Sequence, residues 1–297
     1  MLSIQNLTHT YPNGVQALKN VTLDIPKGMF GLLGPNGAGK SSLMRTIATL
    51  QQPTSGSITF GDIDVLKEPD SIRRTLGYLP QDFGVYPRGS AYELLDHLAI
   101  LKGVTNHKER KQVVEGLLVQ TNLWEKRKNR LSTFSGGQRQ RFGIAQALIG
   151  GPQLIIVDEP TAGLDPEERN RFHNLLAEIG EDVVVILSTH IVDDVADLCP
   201  NMAILAAGQI IKNGTPSALT KELDGMIWKK VIDKASLETF KQSHNVISSH
   251  LSTGQTVIYV NSPENPGDGF ELSEPTLEDV YFSAIASTRD SGTANAA

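Results

Sequence analysis

Cysteine is almost missing from this 297-residue chain, Cys199 being the only one. One thiol excludes an internal disulfide and suits a reducing compartment. A basic excess is missing as well: 27 Lys and Arg stand against 33 Asp and Glu, a net charge of −6, with a pI near 5.7. An acidic chain offers little to a polyanion, so nucleic acid is not an expected partner. Long apolar runs are also absent. Stretches such as 154–157 and 183–187 are far shorter than the ~20 residues a membrane-spanning helix needs. The opening MLSIQNLTHTY carries neither a basic stretch nor an apolar core, so no signal peptide is expected. If the protein works at a membrane, another chain supplies the membrane part. A hydrophobic fraction of 39% and a charged fraction of 20% leave ample material for one large domain with a small appendage.

What is present centres on Gly34-Pro35-Asn36-Gly37-Ala38-Gly39-Lys40-Ser41-Ser42, which fits GxxxxGK[ST] without a mismatch. The apolar run 29–33 before it predicts a buried strand. Leu43, Met44, Ile47 and Leu50 after it predict a helix over 42–50. Strand, glycine loop and helix form the context in which this pattern has meaning. Glycines let backbone N–H groups turn inward around phosphate oxygens, and the helix N-terminus favours the anion. Lys40 would reach the β and γ phosphates, and the Ser41 hydroxyl would ligate Mg²⁺.

Upstream, 2–7 and 18–25 predict strands, broken by Pro12-Asn13-Gly14 and Pro26-Lys27-Gly28, so the opening is expected to be antiparallel. Tyr11 at the first turn is either a partly exposed turn residue or an aromatic near enough to stack on a base. Downstream, 56–60 and 75–79 predict strands across an Asp/Pro-rich connection, and Gln81 follows the second. Residues 91–129 are helical in period, with stripes at Leu94, Leu95, Leu98, Leu101 and at Val113, Val114, Leu117, Leu118. This block between strands is either more core or a lobe for a partner.

A second helix start suited to an anion lies at Ser135-Gly136-Gly137-Gln138, ahead of a helix over 139–149. The run 154–157, ending in Asp158 and Glu159, is apolar throughout, as a central parallel strand should be. Asp158 would hold Mg²⁺ and Glu159 would polarise an attacking water. Pro166 opens a helix to residue 179. Another buried strand, 183–187, precedes His190, which an open sheet would bring to the same crevice.

These motifs, in this order, resemble the ATP-binding cassette (ABC) ATPases over roughly residues 1–220. Tyr11 matches the adenine-stacking loop, 34–42 the Walker A loop, and Gln81 the Q-loop. FSGGQ at 134–138 matches the signature, with Phe134 where Leu is commoner. LIIVDEP at 154–160 matches Walker B with its catalytic glutamate. Ala162-Gly163-Leu164-Asp165 matches the D-loop and His190 the switch histidine. The resemblance implies an α/β P-loop fold: a RecA-like core, an antiparallel β subdomain and a helical subdomain at about 82–134. It implies an ATPase using ATP and Mg²⁺, with Glu159, His190 and Gln81 catalytic and with Ser41, Gln81 and Asp158 toward the metal. It also implies a head-to-tail homodimer, in which Ser135, Gly136, Gly137 and Gln138 of one copy cover the nucleotide held at 34–42 of the other. Asp165 would lie at the seam, and 83–86 in the helical lobe would transmit motion.

The C-terminal part predicts a small α+β domain over 221–285, with strands at 226–232, 246–249 and 256–260, a helix at 236–243, and a disordered tail over 286–297. EPTLEDVYF at 274–282 resembles the tails of drug-, lipid- and polysaccharide-exporter ATPases. That resemblance implies a cassette bound to a separate six-helix permease, peripheral at the cytoplasmic face of the cell membrane. The competing reading is a soluble ABC ATPase acting on ribosomes or DNA, which the acidic charge disfavours; an importer subunit has a similar cassette.

Overall fold

The computed structural model describes every residue except 82, 83, 85–88, 162, 163 and 295–297, and it describes only the backbone of 289–294. Strands β1 (Leu2–Thr10) and β2 (Gln16–Ile25) lead to β3 (Gly28–Leu33), the glycine loop and helix α1 (Lys40–Ile47). Next come β4 (Ser55–Phe60), β5 (Ile63–Asp64), α2 (Pro69–Thr75) and β6 (Leu76–Leu79). The helical block is α3 (Ala91–Leu101), α4 (His107–Gln120) and α5 (Gly136–Ala147). It is followed by β7 (Leu154–Asp158), α6 (Pro166–Ile179), β8 (Val184–Thr189), α7 (Val192–Leu198), β9 (Asn201–Ala206), β10 (Gln209–Gly214) and α8 (Pro216–Lys221). The chain closes with β11 (Ile227–Ile232), α9 (Leu237–Ser243), β12 (Val246–Ser252), β13 (Gln255–Asn261), β14 (Glu271–Leu272) and α10 (Leu277–Ala294).

Among the described residues these strands form three sheets. The central one has the order β10-β9-β3-β8-β7-β6 and is parallel except for the β9–β10 hairpin. All five residues of β7 and all six of β8 are buried, which follows from helices or a second sheet covering both faces. The second sheet, β2-β1-β4-β5, is antiparallel, as the turn chemistry predicts. Its Leu2, Ile4 and Leu7 pack with Leu43, Met44 and Ile47 of α1 against one face of the central sheet. On the other face, Phe172 and Leu176 of α6 and Val195 of α7 meet Ile155, Val157, Val185 and Leu187. The helical block has its own core of Leu95, Val114, Leu118, Phe142 and Phe134. Phe134, the departure in the signature, is thus a core side chain that leaves its polar neighbours untouched.

One expectation is refined. The Asp/Pro-rich connection before β6 contains α2, whose first helical residue is Pro69; the fixed φ of proline suits that position. The last helix, α10, runs from Leu277 to Ala294 and packs on the cassette. Leu277, Val280, Tyr281, Ala284 and Ile285 join Leu219, Val195 and Met202 in the cassette's second core. Each large apolar side chain buried there contributes about 1.5–3 kcal/mol, enough to recruit a helix from an otherwise acidic segment. What stands apart is the antiparallel sheet β12-β13-β11-β14, with a small core of Ile232, Ile258, Val260 and Phe270 under α9.

Candidate functional site

The loop between β3 and α1 owes its shape to two glycines whose Cβ positions are occupied. At Gly34 a Cβ would overlap the Leu205 carbonyl oxygen; at Gly39, with φ +109°, it would overlap the Ala17 carbonyl oxygen. Only glycine allows both the left-handed backbone and the approach. Gly39 turns the chain so that α1 starts at Lys40, two residues earlier than the apolar spacing indicates. The Lys40 ammonium is buried and donates to the Gly34 carbonyl at 2.6 Å and the Pro35 carbonyl at 3.3 Å. Beside the loop, the Tyr11 hydroxyl lies 2.9 Å from Ser42 Oγ, and the His9 ring packs edge-on against Tyr11 at 4.6 Å.

The carboxylates arrive from β7. Parallel pairing sets Asp158 opposite Ser188 of β8, and the Glu159 N–H donates to the Ser188 carbonyl at 2.8 Å. Glu159 takes φ 49°, a left-handed conformation that costs a side-chain-bearing residue about 1–3 kcal/mol. The turn sends its buried carboxylate back over the loop. Oε1 is 3.3 Å from Lys40 Nζ, and Oε2 is 2.6 Å from Nδ1 of the half-exposed His190.

Tyr11, Pro35, Asn36, Gly37, Ala38, Gly39, Lys40, Ser41, Ser42, Gln81, Glu159 and His190 line one cavity of about 600 Å³. A glycine loop, a buried ammonium and a helix N-terminus suit an anion of nucleotide size there. Asp158 lies just beneath. Its Oδ1 is buried without a hydrogen-bond partner among the described residues, and burial pushes its carboxyl up from the ordinary aspartate range, while the nearby Ser188 and Ser41 hydroxyls pull the other way. A hard cation is what such an oxygen lacks. Ser41 and Asp158 therefore fit Mg²⁺, which would neutralise phosphate charge.

The other predicted residues are elsewhere. Ser135, Gly136, Gly137 and Gln138 do not line this cavity. They form the start of α5, with Ser135 and Gly136 exposed and Gly137 buried, where Ser135 Oγ accepts from the Gln138 N–H at 3.2 Å and Gln138 Oε1 accepts from the Ser135 N–H at 3.1 Å. That capping box satisfies two backbone donors of the helix start. Asp165 caps α6, its Oδ1 accepting from the Glu168 N–H at 2.9 Å. Residues 162 and 163 of the same motif lie outside the described residues, as do 83, 85 and 86 of the expected transmitting segment.

One buried group escaped sequence reasoning. Asp194 on α7 is wholly enclosed and bonded to Thr161, Arg169 and His173. In the sequence it is one of two adjacent aspartates, and nothing separates it from the exposed Asp193.

The family model described as "ABC transporter" matches residues 18–162. A daunorubicin/doxorubicin resistance ATP-binding protein of Streptomyces peucetius is 31% identical, the match covering 94% of this chain and 87% of that one. A methionine import ATP-binding protein of Bacillus thuringiensis is 34% identical over 72% of this chain and 66% of its own. Among solved structures, an ATP-binding cassette determined as a dimer in a post-hydrolysis state with ADP and Pi superposes with a TM-score of 0.66 at 29% identity, covering 72% of this chain and 98% of that one.

Proposed function

This chain belongs to the ABC transporter ATPase family and binds and hydrolyses ATP, and we propose that it energises an exporter whose membrane permease is a separate chain. Tyr11 stacks on the adenine, the loop at 34–42 cradles the phosphates, and Lys40 neutralises them. Ser41, Asp158 and Gln81 would hold Mg²⁺, which would supply charge neutralisation at the phosphates. Glu159 orients and deprotonates the attacking water, and His190 contacts the γ-phosphate.

The observation that carries this reading is the separation of the signature from the cavity. The start of α5 caps itself through Ser135 and Gln138 and lies outside the cavity of its own chain, and a second copy packed head to tail would turn it onto the nucleotide. Two copies close around two ATP and reopen as phosphate leaves, a two-state gate run by the γ-phosphate. The dimeric ADP-bound relative supports that geometry.

Two features support a separate permease. Among the described residues no helix is long and apolar enough to cross a membrane. A groove of about 550 Å³ between the cassette core and the helical block, lined by Leu50, Leu76, Tyr78, Leu98 and Leu101, offers that partner an apolar seat. Leu50 and Leu101 are exposed in it. The protein then sits at the cytoplasmic face of the membrane, held by its permease. The export direction rests on the C-terminal segment 274–282, and the match to the drug-resistance relative is long enough to take most of it in. Co-purification from membranes tests both points. A co-purifying six-helix protein carrying substrate outward supports the proposal; a ribosomal or importer partner overturns it.

A further inference from the structure

Behind the nucleotide cavity lies a carboxylate with no part in the scheme above. Asp194 Oδ2 accepts from Thr161 Oγ1 at 2.5 Å and from Thr189 Oγ1 at 3.4 Å. Its Oδ1 accepts from Arg169 Nε at 2.8 Å and lies 2.8 Å from His173 Nε2. The two threonines have telling addresses. Thr161 stands two residues after Glu159, and Thr189 immediately precedes His190. One carboxylate therefore grips the chain beside both members of the pair facing the cavity.

Those members need holding. Glu159 has φ 49°, a conformation that persists only where the surroundings over-determine it. On one side it is fixed by its N–H bond to the Ser188 carbonyl; on the other, Thr161 ends in the Asp194 clasp. Stability alone is a poor reason for the arrangement, since packed apolar side chains often serve a fold as well as a buried ion pair does. Direction is what a carboxylate adds, fixing two hydroxyls at set angles. Arg169 and His173 supply the compensating polar contacts from α6, the helix that Asp165 begins.

We propose that Asp194 is a positioning residue for ATP hydrolysis, one buried carboxylate that keeps Glu159 Oε2 and His190 Nδ1 2.6 Å apart and aimed into the nucleotide cavity. It acts through those two residues and touches no nucleotide, so it rests on the roles proposed for them. Movement of α6 reaches both residues through the same clasp.

The test uses the full chain with Asp194→Asn, Thr161→Val and Thr189→Val, measuring steady-state ATPase, ATP affinity and thermal melting. Valine keeps the outline of threonine and deletes only the hydroxyl, so these variants stand even if Asp194→Asn folds poorly. The kcat of Thr161→Val should fall about tenfold and that of Thr189→Val about threefold, with ATP Kd held within about twofold. Added to His190→Ala, Thr161→Val should cost less than about twofold more, since both act in one constellation. A merely structural role would instead lower melting and multiply the losses independently. Unchanged kcat in both valine variants overturns the proposal, as does weakened ATP binding with kcat preserved. Glu159→Gln run alongside separates two failures. Turnover lost there but kept in the valine variants rejects the positioning role alone; turnover kept there rejects the reading beneath it as well.

Discussion

The Lys40 ammonium lies 3.3 Å from Glu159 Oε1, and both side chains are only 6% exposed. The group expected to draw in phosphate and the group expected to drive water are therefore paired with each other. A phosphate on the loop competes with Glu159 and with the Gly34 and Pro35 carbonyls for one cation. On the proposed roles, ATP binding would free Glu159 from its counter-charge and leave it His190 as a neighbour.

Replacing Glu159 by Gln removes that competitor. ATP affinity should rise, since the buried Lys40 ammonium is no longer shared with a carboxylate. Turnover should fall about 10²- to 10⁴-fold with loss of the general base. The variant should also collect as an ATP-bound dimer on size exclusion with light scattering. A species that stays monomeric with ATP would contradict the sandwich.

Lys40→Ala acts in the opposite direction on binding. Charge-assisted hydrogen bonds contribute about 1.5–3 kcal/mol each, so ATP affinity should drop roughly 10- to 100-fold by calorimetry. Glu159 then keeps a buried charge with only His190 beside it, and melting temperature should fall too. Wild-type affinity would remove Lys40 from the phosphate site.

Asp158 gives a pH-dependent prediction. Its folded-state pKa is raised above the ordinary 3.8, with burial as the first cause. A raised pKa means that stability is fullest below the unfolded value and is lost as pH rises through the folded one. Without nucleotide, Asp158→Asn should therefore melt above wild type near neutral pH, and the gap should close on acidification. Adding ATP with Mg²⁺ should reverse the order, because only wild type gains the metal contact. A gap independent of pH would show that the carboxyl is not strained by burial.

Ser135→Ala separates the two halves of the proposed composite site. Loss of the α5 cap should cost about 1 kcal/mol of stability. ATP affinity of the monomer should stay within about twofold, since Ser135 is outside the cavity, whereas turnover should fall at least about tenfold. Equal turnover at saturating ATP would argue that the signature of a second copy does not complete the site.

Leu101→Asp places a charge in the exposed groove at little cost to folding. Basal ATPase should remain within about twofold while coupled transport is lost, a charge in an apolar seat costing several kcal/mol of docking. Transport that survives in vesicles would remove the groove from the permease contact.

Sequence alone determined the parts whose chemistry is local. A phosphate cradle needs contiguous glycines, a lysine and a hydroxyl, so 34–42 is legible as written, and the apolar run ending in Asp158 and Glu159 reads as a central strand for the same reason. Tertiary structure decided what depends on which surfaces meet. Asp193 and Asp194 are chemically identical neighbours, and only the packing of α7 against α6 buries the second among Thr161, Arg169 and His173. The segment 274–282 shows an apolar side at Leu277, Val280 and Phe282 in the sequence, but only the fold shows that Leu277, Val280 and Tyr281 pack into the second core of the cassette. Local sequence fixes backbone chemistry within a turn or two; burial and convergence are properties of elements far apart in the chain, set by the apolar area they remove from water together.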